Sequence, residues 1–385
     1  MSRIALHPSR AIADLLRTRR EELSLTLRDV EKKSAEGGGC PIPFTTLAKV
    51  EKAKVDPGLK RLYRLLNLYH LPLQMVGDLL DLEELADILP ADRNPETLYK
   101  EGVKEWKGGD IRKGLAHLFT LRHLVQGKPD SRIVRQKSLL SFAVAAGSLG
   151  KFQLSRQIVD DILLEPPDPT LLVPVLIQAA HCWHWLGSGE AALAFLSRAE
   201  ARLKPGEDQH RAWIFHEKAS VLVDLADFKH AESVLALALD SYEKAGDLYG
   251  VNRAMAVRTR LRFEQEDAAG ALQAAQAARD HAARNGFDRL ERLWRIEEGR
   301  AYLLLNDASS SLSSLSAALA ESLLADDRIG QFYAHYYLWK ARETIDDPGG
   351  AEVELKSALY FERFVDEVTK ETLDIRALRT RKESK

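Results

Sequence analysis

The residue types best suited to metal chemistry lie together at positions 181–184, where the sequence is His-Cys-Trp-His. On a helix, His181 and His184 share one face three residues apart and could hold a metal ion together. A zinc site takes at least three protein ligands, but no third ligand is near in the sequence and Cys182 would face elsewhere. We therefore predict no metal site.

Sequence motifs for catalysis are also missing. The chain contains no Gly-x-Gly-x-x-Gly, phosphate-loop Gly-Lys-Ser/Thr, His-Glu-x-x-His or Gly-x-Ser-x-Gly motif. Cys40 follows three glycines and could be a redox sensor, but nothing in the sequence indicates a stabilised thiolate, so a passive thiol is the simpler interpretation. We expect neither catalytic activity nor a cofactor.

Positive charge is concentrated at the start of the chain. The whole chain has a net charge of −2, yet residues 1–72 contain 14 lysines and arginines against 8 aspartates and glutamates. Residues 73–90 contain five acidic residues and no basic one. Because lysine and arginine neutralise phosphate groups, a nucleic-acid site is expected only in the basic first segment.

Length and composition limit the class of protein. A chain of 385 residues is long enough for two or three domains or for a repeat array. Two cysteines cannot build a disulfide framework, which favours a reducing compartment. No stretch approaches the roughly 20 apolar residues that span a bilayer, and the first residues lack an apolar signal core. We expect a cytoplasmic protein with no membrane partner.

The basic residues are predicted to lie on short helices. A helix begins near Thr26, whose hydroxyl can cap the first turn while Asp29 completes a capping box. Pro43 fits the first turn of the next helix, where no amide donor is needed. Apolar residues recur at helical spacing in four further segments, residues 10–23, 44–50, 59–66 and 73–80. The pattern predicts five helices.

These helices, with the strings Leu25-Thr-Leu-Arg-Asp-Val30 and Phe44-Thr-Thr-Leu-Ala-Lys-Val-Glu51, resemble the lambda-repressor-like (Xre) helix-turn-helix family over residues 10–80. The resemblance implies that the third helix enters the major groove of double-stranded DNA, with Leu47 and Val50 in the core. The DNA-binding residues that it implies are Thr26, Arg28, Phe44, Thr45, Thr46, Ala48, Lys49, Lys52 and Lys54.

Two features of this head differ from the family pattern. Glu31 stands where a small alanine is common, and residues 35–42 form an eight-residue loop with three glycines in place of a tight turn. Both differences bear on how the third helix docks against DNA. The alternative interpretation is a small helical bundle whose lysines form a solvated face.

Beyond residue 95 a six-residue box recurs about every 40 residues, with intervals of 41, 37, 39, 40, 40 and 40. Its sixth position is always Gly, Ser or Ala, as expected where two antiparallel helices cross closely after a turn. The boxes are residues 109–114, 150–155, 187–192, 226–231, 266–271, 306–311 and 346–351. Stacked hairpins of this kind bury a shared core as a solenoid.

The boxes resemble the turn of the tetratricopeptide repeat over residues 95–365, and HEAT-like pairs are the alternative at this repeat length. The predicted fold is all-α: a five-helix lambda-repressor-like head followed by a right-handed α-solenoid of about seven tetratricopeptide-like hairpins. The predicted domains are residues 1–80 (helix-turn-helix), 81–94 (linker), 95–365 (repeats) and 366–385 (capping helix and tail).

A helix-turn-helix head followed by tetratricopeptide repeats resembles the peptide-responsive bacterial regulators of the RRNPP group. The resemblance implies a sequence-specific transcriptional regulator that binds operator DNA as a homodimer and a short peptide or protein in its groove. The dimer would form through the repeats or the leucine-rich residues 79–89. The alternative is an interaction scaffold whose head does not bind DNA.

The resemblance also implies which residues line the groove. In tetratricopeptide arrays they lie 3, 6, 10 and 13 residues before each turn, and in RRNPP proteins asparagines clamp the peptide backbone. The implied groove residues are His181, His184, Trp213, His216, Asn252, Arg253, Arg260, Arg300, Tyr333, Tyr336 and Lys340. Their cations and aromatic rings favour an anionic, partly apolar ligand.

Overall fold

The computed structural model describes residues 9–35, 40–83, 85, 88–91, 94–107, 111–125, 132–148, 150–165, 167–362, 365 and 373. It divides into two compact units, residues 1–131 and residues 132–385. All regular elements in the described residues are helices, and none of those helices is long and apolar enough to cross a membrane. The prediction of an all-α protein is therefore confirmed for this part of the chain.

In the first unit, helices form where the apolar periodicity predicts them. They are α1 (Arg10–Glu22), α2 (Leu27–Ala35), α3 (Phe44–Val50), α4 (Leu59–Leu68), α5 (Leu73–Glu83), α6 (Pro95–Lys107) and α7 (Ile111–Val125). We call α1–α5 the head. Its core contains Leu16, Val30, Leu47 and Leu65, one from each of the first four helices. The predicted core residues Leu47 and Val50 are both buried.

A buried ion pair ties the start of the head to the end of α3. The Arg20 guanidinium binds the Glu51 carboxylate in a bidentate manner, with Nε 2.7 Å from Oε1 and Nη2 2.9 Å from Oε2. Nη1 of Arg20 also donates to the carbonyl oxygen of Leu25 at 2.8 Å. One side chain therefore fixes α1, the α1–α2 turn and α3 relative to one another.

The second unit consists of helices in consecutive antiparallel pairs. They are α8 (Arg132–Ser148), α9 (Phe152–Leu164), α10 (Leu172–Trp185), α11 (Gly189–Glu200), α12 (Asp208–Asp224), α13 (Phe228–Ala245), α14 (Leu248–Glu264), α15 (Ala268–Arg284), α16 (Asp288–Leu304), α17 (Ala308–Leu324), α18 (Arg328–Thr344) and α19 (Pro348–Phe361). The helices of each pair pack on one another, and a buried apolar core continues between pairs.

Six of the seven six-residue boxes lie at the turns within these pairs; the remaining box is residues 109–114, and its residues 109 and 110 lie outside the described residues. The first position of each of these six boxes has positive φ, which reverses the chain direction after the first helix; these residues are Gly150, Gly187, Ala226, Glu266, Asn306 and Asp346. From the third of these pairs (α12 and α13) onward the next residue is an aspartate that caps the second helix, as Asp267 does by accepting a hydrogen bond from the Gly270 amide at 2.8 Å.

The small sixth position of each box is buried where the two helices of a pair cross. Ala192, Ala231 and Ala271 have no exposed surface. Ser155 and Ser311 are also buried, and each hydroxyl donates to a carbonyl oxygen of the preceding helix, twelve residues earlier, at 2.7 and 2.8 Å. The steric explanation for a small residue at this position is confirmed.

Candidate functional site

The predicted DNA-binding residues of the head lie mostly on its surface. Thr46 and Ala48 are half-buried, whereas seven of the nine side chains are exposed: Thr26, Arg28, Phe44, Thr45, Lys49, Lys52 and Lys54. The buried residues of α3, Leu47 and Val50, hold the helix on the core. The opposite side of α3 is thus available to a partner.

The cations among these residues stay without a carboxylate partner in the described part of the chain. No ion pair involving Arg28, Lys49, Lys52 or Lys54 forms in the residues that the structure describes. The Arg28 guanidinium instead lies 5.7 Å from the centre of the Phe44 ring, in a cation–π contact between α2 and α3. We call these four side chains the cationic strip.

The start of α2 is set by the predicted capping box. The Thr26 hydroxyl donates to Asp29 Oδ2 at 2.5 Å and accepts from the Asp29 amide at 3.2 Å, while the Thr26 amide donates to the same carboxylate at 2.8 Å. The hydrogen bonds from the Thr26 side chain and amide lower the pKa of Asp29. The predicted capping box is confirmed. It fixes the first turn of α2 and therefore the position from which the Arg28 side chain extends.

Sequence reasoning missed the residue that controls the long connection between α2 and α3. Arg64 on α4 donates to the carbonyl oxygens of Ser34 and Cys40, which flank residues 36–39. The Ser34 hydroxyl accepts from the Ile42 amide at 2.8 Å, so both ends of the connection are fastened to the core. Nothing local to Arg64 in the sequence indicates this role.

In the second unit, the first helices of successive pairs contact one another: α10 packs on α12, α12 on α14, and α16 on α18. We call the surface that they form the first-helix face. His181 Nδ1 on α10 lies 3.2 Å from both carboxylate oxygens of Glu217 on α12. His184 Nε2 lies 2.6 Å from Asp224 Oδ2. The two histidines thus bind different carboxylates.

Arg260 extends this network to α14. Its guanidinium donates to the carbonyl oxygen and the hydroxyl of Ser220 at 2.9 and 2.7 Å, and lies 3.4 Å from Asp224. Burial favours a higher pKa for Asp224, but the His184 hydrogen bond and the Arg260 charge outweigh it and lower the pKa. Asp224 therefore stays ionised between its two partners.

Three buried groups in or beside this network have shifted pKa values. Burial lowers the pKa of His216 to about 3, so its imidazole is neutral at physiological pH. For Glu217, burial acts to raise the pKa, but His181 overcomes it and the net pKa is lowered. Burial raises the pKa of the Cys182 thiol to about 11, so that thiol stays protonated.

The structure corrects the placement of Asn252. This side chain is 0% exposed, its amide nitrogen donates to the carbonyl oxygen of Ala278, and its amide oxygen accepts from Trp294 Nε1, both at 2.8 Å. Asn252 therefore joins α14, α15 and α16 internally and does not line a groove. His184 and His216 are buried as well, because they lie between neighbouring helices.

The remaining predicted groove residues differ in how far a ligand could reach them. Arg253 is exposed and makes no ion pair in the described residues. The Arg300 guanidinium lies 4.0 Å from the centre of the Phe263 ring, and its Nη1 lies 3.4 Å from Glu297 Oε2. Lys340 Nζ lies 4.3 Å from the centre of the Trp339 ring. Both cations thus already have partners within the protein, unlike Arg253 in the described part of the chain.

The three large aromatics among the predicted groove residues belong mainly to the core. Trp213 is half-buried and packs against two core clusters. Tyr333 is half-buried against the core near the end of the second unit. Tyr336 is buried, and its hydroxyl donates to the carbonyl oxygen of Leu373 at 3.4 Å. These rings therefore pack mostly against the core, and little of their surface is exposed on the first-helix face.

Comparison with solved structures relates this arrangement to known proteins. A Rap protein complexed with Competence and Sporulation Factor matches over 91% of this chain and 98% of its own, with 15% identity and a TM-score of 0.54. A tetratricopeptide repeat protein from Parabacteroides merdae (15% identity; 73% and 98% of the two chains; TM-score 0.46) is also similar. Bacillus thuringiensis PlcR in complex with the peptide PapR7 and DNA is similar as well. It shares 11% identity over 74% of this chain and 99% of its own, with a TM-score of 0.45.

The fold is a tetratricopeptide-like repeat of helical hairpins about 40 residues apart, and the Rap protein shares it. No protein-family model matches the sequence, and no curated protein matches it. In the tetratricopeptide-like unit, sequence reasoning identified His181, His184 and Arg260 but missed their partners Glu217, Ser220 and Asp224. All three partners lie on α12. Glu217 and Asp224 lie nine and two residues before the box at 226–231 and so fall outside the groove spacing, whereas Ser220 lies six residues before that box and fits the spacing.

Proposed function

We propose that the protein is a sequence-specific DNA-binding transcriptional regulator whose tetratricopeptide-like unit senses a peptide or protein and which acts as a homodimer without catalytic activity. The observation that carries the proposal is the cationic strip. Four cations on α2, α3 and the turn after α3 are exposed and make no ion pair with any residue that the structure describes. A surface of that kind attracts the phosphate backbone of DNA.

The arrangement of α2 and α3 supports the same proposal. In helix-turn-helix proteins, the second helix of the motif presents its first residues to base edges in the major groove. Here α3 buries Leu47 and Val50 and leaves Thr45 and Lys49 exposed. Thr45 and Lys49 are therefore the proposed base-contacting residues. Arg28, Lys52 and Lys54 are the proposed phosphate-contacting ones, and the Lys49 charge also neutralises a phosphate beside the groove.

A homodimer follows from the small size of one head. A single head covers one half-site and contacts few bases, so useful affinity requires two heads about one DNA turn apart. The repeats or residues 79–89 would join the two copies.

The test of this function is a gel shift of the full chain with the DNA upstream of its own gene. We expect a specific complex that unrelated DNA of equal length does not compete away. Lys49→Ala should weaken the complex by roughly fivefold to tenfold, because one phosphate or base contact is lost. Lys229→Ala, which removes an exposed lysine from α13, is the charge-matched control and should have no effect. If Lys49→Ala and Lys229→Ala behave alike, α3 does not bind DNA.

Ligand sensing is proposed for the first-helix face. The Rap protein that shares the fold was solved with Competence and Sporulation Factor, and the cations of this face suit an anionic peptide. Arg253 is the best placed of them, because it is exposed and unpaired in the described residues, whereas Arg260 is already bound to Ser220 and Asp224.

Thermal unfolding detects this binding even when the ligand has not been identified. An acidic peptide fraction from the same cell, present at 100 times its dissociation constant, should add about 2.7 kcal/mol to the free energy of unfolding. Arg253→Ala should abolish the shift, whereas Arg202→Ala, an exposed arginine after α11, should keep it. A shift that survives Arg253→Ala would place the ligand elsewhere. A chain that binds partner proteins but no DNA would support the scaffold alternative.

A further inference from the structure

The first residue of α3 is a phenylalanine that the core does not use. Phe44 keeps 40% of its surface exposed, whereas Leu47 and Val50, one and two turns further along α3, are buried. An isolated exposed apolar residue is common in proteins and needs no explanation. The position of Phe44 is what matters, because it lies within the proposed DNA-binding surface.

Phe44 is also held in place by its neighbour. The Arg28 guanidinium lies 5.7 Å from the ring centre and has no carboxylate partner in the described residues. A cation–π contact of this kind restrains both side chains. The result is an apolar ring edged by a positive charge, presented at the beginning of α3.

We infer that Phe44 contacts the C5 methyl group of a thymine in the major groove, and that it thereby determines part of the DNA sequence preference. The inference rests on the proposed DNA-binding function. A phenyl ring has no hydrogen-bond donor or acceptor, so it cannot recognise the polar pattern of a base edge. The thymine methyl is the apolar feature that the major groove offers, and apolar side chains recognise thymine through it.

The restraint by Arg28 makes this contact selective. A ring fixed before binding loses little conformational freedom when it meets the methyl group. The guanidinium beside it can reach a phosphate of the same strand, which orients the ring over the base edge. A different role for an exposed ring, insertion between base pairs as a wedge, depends on unstacking and is indifferent to the methyl group.

The experiment uses DNA in which the methyl group alone is removed. Duplexes that bind the full chain are first enriched from a random pool. The best duplex is then resynthesised with deoxyuridine in place of each thymine in turn, since uracil differs from thymine only by that methyl group. We expect one thymine in each half-site at which the substitution weakens binding roughly fourfold, the effect of leaving one methyl-sized group unburied.

The variants assign the effect to Phe44. Phe44→Ala should bind the thymine and uracil duplexes equally, whereas Leu59→Ala should keep the difference between them. Leu59 is a matched control because it is also an exposed apolar side chain of the head, 73% exposed on α4. Circular dichroism of both variants checks that the helices persist.

Two results would overturn the inference while leaving the proposed function intact: no thymine position sensitive to the methyl group, or a thymine preference that Phe44→Ala retains. A methyl-independent loss of DNA bending in Phe44→Ala would indicate the wedge instead. Failure to enrich any duplex would overturn the DNA-binding function itself, and the inference with it.

Discussion

Raising the salt concentration from 50 to 200 mM should weaken binding of the full chain to its DNA by about four orders of magnitude. The expectation follows from the cationic strip, which supplies four cations per head that have no ion-pair partner among residues 9–35 and 40–83 or elsewhere in the described chain. Each phosphate that they neutralise releases condensed counterions, and each contact adds about −0.9 to the slope of log affinity against log salt. Two heads would give a slope of about −7.

The slope also tests the homodimer. One head with four contacts would give about −3.6, roughly half the value for two heads. The combined variant Lys49→Ala, Lys52→Ala and Lys54→Ala should flatten the slope for the dimer to about −2, because only Arg28 remains in each strip. Titrations in four salt concentrations measure this directly, with Lys229→Ala as the control. A slope near zero for the unchanged protein would contradict the DNA-binding proposal.

Breaking the Arg20–Glu51 pair should destabilise the head by about 3 kcal/mol or more. The Arg20 and Glu51 side chains are only 13% and 8% exposed. Glu51→Ala removes the bidentate partner of a largely buried guanidinium and leaves it only the exposed Glu21 carboxylate, 3.3 Å from Nη2, so the charge is poorly compensated. We expect weaker DNA binding, because α3 loses its link to α1.

Hydrogen exchange of the full chain is the suitable measurement, since it reports each segment separately. Amides of α1–α3 should lose protection in Glu51→Ala, while those of α12–α15 keep it. Asp14→Ala is the matched control because it breaks the exposed pair with Arg17, whose side chains are about half exposed, and it should cost less than about 1 kcal/mol.

A third variant separates loss of packing from loss of charge balance. Replacing both partners, Arg20→Met with Glu51→Leu, should recover most of the stability because no unpaired charge remains. If Glu51→Ala exchanges like the unchanged protein, the ion pair does not hold the head together.

Local features of this protein could be predicted from the sequence alone. The Thr26–Asp29 capping box forms as expected, because a cap depends on residues three positions apart on one chain. The turns at Ala226 and Glu266, and the buried alanines five residues after each, also follow from short-range spacing. Helical periodicity brings such residues together wherever the helix lies in the fold.

The partners of the charged and polar side chains were decided only by the tertiary structure. Arg20 meets Glu51 31 positions away, and Arg64 reaches Cys40 across 24 positions. Asn252 lies on a first helix, as the expected groove residues do, but the structure buries it against Ala278 and Trp294. Successive side chains on a helix point about 100° apart around its axis. A modest rotation of a packed helix about that axis therefore decides whether a given residue faces the groove or the core. That rotation is set by how neighbouring helices interlock, which the spacing of residues along one helix does not fix.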